Sequence, residues 1–164
     1  MLYFAYGSNL DLDQMRARAP GARVVGLGLL RDYRLTFPLR SLRWGGGAAG
    51  LTHAHGSIVW GVLYELSESD LASLDAHEGW CGPGDHHNTY DRDLATVELT
   101  RPDDGSVPRR VRATTYFART LNPTPPTREY LDTMLRGARS HHLPPEYIEW
   151  MEAIEVAGSP TPGT

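Results

Sequence analysis

Leu2-Tyr3-Phe4-Ala5-Tyr6-Gly7-Ser8-Asn9-Leu10 sets an apolar run directly against a polar turn. Residues suited to a short buried strand are followed by Gly7, which accepts backbone angles closed to other residues. Ser8 and Asn9 then offer side chains that bond neighbouring amides. A helix is expected just beyond, near Asp11, so the spacing predicts a strand that empties through a tight turn into a helix. Amides converging in such a turn form a concavity suited to a carboxylate or a developing oxyanion. The alternative is an ordinary strand-to-helix connection capped by Asn9 or Asp11.

A second feature lies far downstream. Ser67-Glu68-Ser69-Asp70 reads as a helix start, with Ser67 as cap and Asp70 three residues on, and Gly79 supplies the stop. Leu71, Leu74 and Glu78 share one stripe of that helix, which puts a carboxylate on the face that the leucines turn toward the core. Either the helix end frays and Glu78 reaches water, or Glu78 is a partly buried acid kept for proton transfer. Burial and the negative end of the helix dipole both disfavour a charged acid. They would lift its pKa from about 4.3 toward the range useful to a general base and acid.

Working outward, the helix near Asp11 ends before Pro20-Gly21, and residues 22–37 read as one or two strands with a glycine-softened middle. Residues 40–50 read as a glycine-rich loop carrying Trp44. A short strand over 49–54, a turn at Gly56-Ser57 and a central strand over 58–66 follow. Residues 90–99 and 109–117 form a second strand pair around Pro102-Asp103-Asp104-Gly105. The last third changes character. An ordered proline-rich loop over 120–127 leads to a helical stripe of Tyr130, Leu131, Met134, Leu135 and Ala138. Pro144-Pro145 then opens a helix carrying Tyr147, Trp150, Met151 and Ile154, and the composition from Gly158 predicts a disordered tail. This order predicts an α+β fold, a small partly closed sheet flanked by helices, as one domain over residues 1–157.

Composition narrows the function. The formal charge of −4 disfavours phosphate backbones, so no nucleic-acid partner is expected. No apolar run approaches the roughly 20 residues that span a membrane. The single Cys81 rules out an internal disulfide framework and suits a reducing cytoplasm, as does the absence of a basic, apolar leader before the first strand. Every cationic side chain is arginine, which removes lysine Schiff-base chemistry. The pairs His86-His87 and His141-His142, with His53-x-His55, lack metal-site spacing, so they read as structural or surface histidines and no metal is predicted. Ser8 lacks the flanks of a nucleophile elbow, and Gly45-Gly46-Gly47 lacks both the P-loop lysine and the dinucleotide spacing, so it reads as a flexible rim. No cofactor is expected. Tyr90, Tyr116 and Tyr130 read by default as core aromatics, and matter to chemistry only if they converge on Glu78.

The combination of residues 2–10, Leu74-Asp75-Ala76-His77-Glu78-Gly79 and Tyr90-x-Arg92 resembles the γ-glutamylcyclotransferase family. Gly45-Gly46-Gly47-Ala48-Ala49, Val59-Trp60-Gly61-Val62 and Leu143-Pro144-Pro145-Glu146-Tyr147 extend the likeness over most of the chain. The resemblance implies a small mixed β-barrel with flanking helices, and release of an amino acid or amine from a γ-glutamyl group as 5-oxoproline forms. It places the substrate-cradling loop on Tyr6, Gly7, Ser8, Asn9 and Leu10, the catalytic acid on Glu78, and pocket tyrosines on Tyr116 and Tyr130. An arginine could add to carboxylate recognition, without the sequence saying which. Two departures stand out. Residues 80–89 are longer than the family pattern and could reshape the acceptor side of the pocket, and Asn9 after Ser8 departs from the glutathione-specific branch. Removal of a γ-glutamyl protecting group from a natural-product intermediate, hydrolysis to glutamate, and a non-catalytic domain that holds a small carboxylate are the alternatives. The oligomeric state is left open, a homodimer included.

Overall fold

A computed structural model describes residues 1–119 and 121–158. Its strands are β1 (Leu2–Ala5), β2 (Arg23–Ser41), β3 (Gly46–Glu65), β4 (Tyr90–Pro102) and β5 (Arg109–Ala118). Its α-helices are α1 (Leu12–Arg18), α2 (Glu68–Glu78), α3 (Arg128–Ser140) and α4 (Pro145–Glu152). A 3-10 turn, Ser8–Leu10, stands between β1 and α1.

The strands close into a barrel in the order β1-β3-β2-β4-β5. Neighbours are antiparallel except at the closure, where β1 runs parallel to β5 with Tyr3 opposite Thr114. That one parallel pair makes the barrel mixed. Closure removes the sheet edges that a short five-stranded sheet would otherwise expose. The directions bring the C-terminal ends of β1, β2 and β5 and the N-terminal ends of β3 and β4 to the same mouth. The apolar interior, with Phe4, Val59, Leu63, Val97, Leu99 and Ala113 fully buried, lies below it.

The helices form where local sequence asks for them. Ser67 caps α2 in a reciprocal pair with Asp70, and Gly79 ends it in the left-handed region at φ 67°, as the sequence predicts. Thr127 caps α3, whose buried face carries Tyr130, Leu131, Met134, Leu135 and Ala138, all named by the helical stripe. In α4, Tyr147 and Met151 are buried, Trp150 is exposed, and Ile154 falls beyond the helix end.

Two expectations need correction. Residues 22–37 and the separate strands at 49–54 and 58–66 belong to just two long strands, β2 and β3, paired from Arg23↔Glu65 to Ser41↔Gly46. Gly45-Gly46-Gly47 is consequently no flexible rim: β3 begins at Gly46, and only residues 42–45 form the turn. Gly45 takes the turn's positive φ of 73°, while Gly46 and Gly47 answer to packing. A Cβ on Gly47 would lie 1.8 Å from the Thr124 carbonyl oxygen, and the Gly47 amide donates to the Pro125 carbonyl at 2.9 Å. The tail predicted from Gly158 falls, at residues 159–164, outside the described residues, as does Thr120 of the proline-rich loop. Among the described residues no helix is long and apolar enough to cross a membrane.

Candidate active site

The barrel mouth holds a cavity of about 400 Å³ walled by five tyrosines, Tyr3, Tyr6, Tyr90, Tyr116 and Tyr130, with Glu78 and Arg18 among them. Its floor is the strand-to-helix passage. After β1 the chain enters the 3-10 turn, where the Leu10 amide donates to Gly7 O and the Asp11 amide to Ser8 O, both at 3.0 Å. Those bonds use the amides of Leu10 and Asp11, so the amides of Gly7, Ser8 and Asn9 are the ones without a bond inside the turn. Asp11 then caps α1, its Oδ2 accepting from the Gln14 amide at 3.2 Å, and accepts a two-pronged bond from Arg136 of α3 at 2.9 and 3.2 Å.

The predicted site residues divide as follows. Tyr6, Gly7, Ser8, Asn9, Glu78, Tyr116 and Tyr130 all line the cavity. Leu10 does not: it is fully buried behind the turn, and a helix α3 glycine, Gly137, packs on its carbonyl. Gly7 earns its place by space, with φ at −108°. A Cβ there would stand 3.1 Å from Ala49 Cβ and 3.3 Å from the Tyr130 hydroxyl. Tyr3, Arg18 and Tyr90 join the wall without having been named as site residues by the sequence. Arg18 is one of three arginines in the lining, with Arg40 and Arg43. It occupies the last turn of α1, where a cation is unremarkable, and packing turns it inward.

Asn9 organises the polar centre. Its side-chain amide donates to the Tyr3 hydroxyl at 2.9 Å and to Glu78 Oε1 at 3.1 Å. Its Oδ1 accepts from Arg18 at 2.9 Å and from Gln14 at 3.0 Å. Arg18 approaches Glu78 Oε1 to 3.8 Å, with the two side chains only 8% and 16% exposed. Burial pushes the Glu78 carboxyl above the ordinary glutamate value, nearby Asp75 adds to the rise, and Arg18 and the Asn9 bond oppose it without cancelling it. Of the two sequence readings of Glu78, the buried acid is the one observed.

The tyrosines are held as neutral hydroxyls. Burial raises the pKa of Tyr3, Tyr6, Tyr90 and Tyr116 well above the usual phenol value and takes Tyr130 to about 12. Tyr90 donates to the Ala49 carbonyl at 2.7 Å while the Ala49 amide donates to Tyr130 at 3.0 Å, which fixes the β3 end of the wall. His77 also lines the mouth, exposed, with Nδ1 at 2.8 Å from the Ser73 carbonyl. Asp85, His86 and His87 bring ligand atoms within 4.8 Å of one another on the surface, away from the cavity wall, with Asp85 Oδ1 already bonded to His87.

Asp75 braces the acid from one helical turn back. It accepts from the Tyr116 hydroxyl at 2.8 Å and from Arg92 at 2.5 Å, and Arg92 stacks on Trp80 with 3.8 Å to the ring centre. Of the long segment 80–89, only the last residue, Thr89, lines the cavity. Replacing Asp75 with Asn removes a negative charge beside Glu78. The acid limb of a pH–activity profile is therefore expected to move to lower pH; a loss of rate with an unmoved limb would leave Asp75 only a structural brace.

Residues 3–138 match the family model described as gamma-glutamyl cyclotransferase, AIG2-like. Gamma-glutamylcyclotransferase of Mus musculus is 31% identical over 159 residues, covering 94% of this chain and 78% of the relative. The Homo sapiens protein of the same name is 32% identical over 158 residues with the same coverage. A solved structure titled gamma-glutamyl cyclotransferase superposes with a TM-score of 0.84 at 30% identity, covering 100% of this chain and 92% of that one.

Proposed function

This chain belongs to the gamma-glutamyl cyclotransferase, AIG2-like family, and on that premise we propose that Glu78 is the single acid–base group of its reaction. A γ-glutamyl cyclotransferase turns a γ-glutamyl compound into 5-oxoproline and a free amine or amino acid. The α-nitrogen of the glutamyl group attacks its own γ-carbonyl carbon, that C–N bond closes a five-membered ring, and the old amide C–N bond breaks. No atom of water is consumed. One carboxylate suffices, because the proton lost by the attacking nitrogen is the proton the leaving nitrogen requires.

The observation that carries this reading is the position of Glu78: a buried carboxyl whose environment favours its neutral form, lining the same cavity as the Gly7–Asn9 turn and bonded to its Asn9 side chain. Such an acid is balanced between accepting and giving a proton. The five tyrosines are poor candidates for that exchange, since their hydroxyls stay protonated. In this reading the amides of the Gly7–Asn9 turn receive the oxyanion, Arg18 and Asn9 hold Glu78 in place, and Tyr116 and Tyr130 press the glutamyl chain into the folded geometry that makes attack intramolecular. A pure carboxylate-binding site would gain nothing from a second carboxylate in its wall.

Incubating the purified protein with several γ-glutamyl amino acids and amines, followed by product analysis, tests the proposal. Equal amounts of 5-oxoproline and free amine are expected. Glutamate as the acidic product would make the chain a hydrolase, and bound but unconverted substrate would favour a binding domain.

A further inference from the structure

We propose that Asp85, His86 and His87, in the segment between α2 and β4, form a surface site for one divalent transition-metal ion of the Zn²⁺ type. None of the three lines the barrel-mouth cavity, so the site is independent of the acid–base role given to Glu78.

The missing metal-site spacing in the sequence counts against a metal only on a helix, where adjacent side chains point apart by about 100°. Here the backbone is a pair of tight turns. The Asp85 amide donates to the Gly82 carbonyl and the Asn88 amide to the Asp85 carbonyl, both at 3.2 Å. On the second turn the His86 and His87 rings come together with centres 3.8 Å apart, and both present Nδ1 to the same carboxylate oxygen. Asp85 Oδ1 stands 2.9 Å from His87 Nδ1 and 3.9 Å from His86 Nδ1. One ligand atom from each residue lies within 4.8 Å of the others, and among the described residues no other three His, Cys, Asp or Glu side chains meet this closely. In a tetrahedral zinc site, with metal–ligand distances of about 2.0–2.1 Å, neighbouring ligand atoms stand roughly 3.4 Å apart. The two distances to Asp85 Oδ1 bracket that value, so side-chain adjustments of about half an ångström complete the set.

The platform beneath these side chains is braced. Asn88, only 6% exposed, accepts from the Cys81 amide at 2.6 Å and donates to the Gly82 carbonyl at 2.8 Å and to Asp91 at 3.0 Å. Arg119 donates to the Asp85 carbonyl, and Asp91, 3.6 Å from Arg119, offsets that cation. The ligand side chains themselves stay open to solvent, with His86 85% and His87 69% exposed. A braced turn lowers the ordering cost of binding.

Two imidazole nitrogens and one carboxylate oxygen suit Zn²⁺ better than Mg²⁺ or Ca²⁺, which take oxygen ligands. The ion takes the place of the proton now shared by His87 Nδ1 and Asp85 Oδ1, and that proton passes to solvent. Water fills the remaining position on the exposed side. The nearest rival on the surface is His55, 3.4 Å from Asp32, but His53 packs edge-on against Tyr33 and leaves that pair with one histidine.

Calorimetric titration of Zn²⁺ into the tag-free, chelator-treated full chain tests the proposal. Saturable binding of one ion per chain is expected, undisturbed by equal Mg²⁺. In NMR spectra the imidazole signals of His86 and His87 should move first among the seven histidines. His86→Ala/His87→Ala should weaken binding by more than roughly a hundredfold, beyond the cost of altering an outer-shell partner, whereas His53→Ala/His55→Ala should leave it unchanged. Asp85→Asn is a second probe of the same set and should weaken binding by about tenfold or more. Absence of saturable binding, or binding that survives His86→Ala/His87→Ala, overturns the proposal. Formation of 5-oxoproline by that variant should match the wild type, so the metal site and the cyclotransferase reading stand or fall separately.

Discussion

Glu78→Gln is expected to lower kcat by about a thousandfold on any γ-glutamyl substrate, the middle of the range for losing a positioned acid–base group. Gln keeps the size of the side chain and can still accept from Asn9, so binding should survive and KM should change little. The same substitution should make the folded protein more stable near neutral pH. Glu78 has its pKa raised on folding, so its folded environment favours the protonated form. That contribution is fully present below the unfolded-state value of about 4.5 and is lost as the pH rises through the higher folded-state value. Gln carries no such loss. The difference in Tm between variant and wild type should therefore grow as pH is raised from about 4 to 8. An inactive variant that is also less stable at pH 8 would mean that pairing with Arg18 outweighs the burial of Glu78.

Gly137→Ala is expected to damage both fold and activity, although Ala in place of Gly inside a helix is ordinarily favourable by about 1 kcal/mol. In α3 the added Cβ would lie 2.2 Å from the Leu10 carbonyl carbon and 2.5 Å from the Asp11 amide nitrogen. Both neighbours are backbone, and Asp11 is pinned by its cap and by Arg136, so the helix must move away. Because both obstacles are backbone, the cost is placed at about 3 kcal/mol, the upper end of the usual range for an overfilled contact. For a chain of this size it corresponds to a fall in Tm of roughly 6–12 °C. Tyr130 sits two turns earlier on the same helix and would shift with it, opening the wall against Ala49. Thermal unfolding beside a 5-oxoproline assay checks both effects, and an unchanged Tm would show that the turn yields instead.

The parts of this structure that were legible in the sequence are those governed by neighbours along the chain. α2 could be bounded at both ends because Ser67, Asp70 and Gly79 act within one turn of their own backbone, and Glu78 stood out because it interrupts a stripe of leucines. The tight turn after β1 was legible for the same local reason. Gly45-Gly46-Gly47 misled because Gly46 and Gly47 answer to Pro125 and Thr124, nearly 80 residues away, rather than to a loop. Arg18 could not be singled out among 16 arginines, since only the packing of α1 against α2 sends its guanidinium to Asn9 and Glu78. Leu10 was drawn into the cradle by adjacency, yet the register of the 3-10 turn buries it beneath Gly137. Of residues 80–89, Thr89 lines the cavity and Trp80 stacks on Arg92, contacts that no pattern within the segment announces.

The most direct test of the role given to Glu78 is a titration of its carboxyl carbon by NMR in the folded wild-type protein. A midpoint clearly above 4.5, the ordinary glutamate value, is expected. A midpoint at or below that value would contradict it, since Glu78 would then be an ordinary ionised carboxylate held by Arg18, with no poise for returning a proton to the leaving nitrogen.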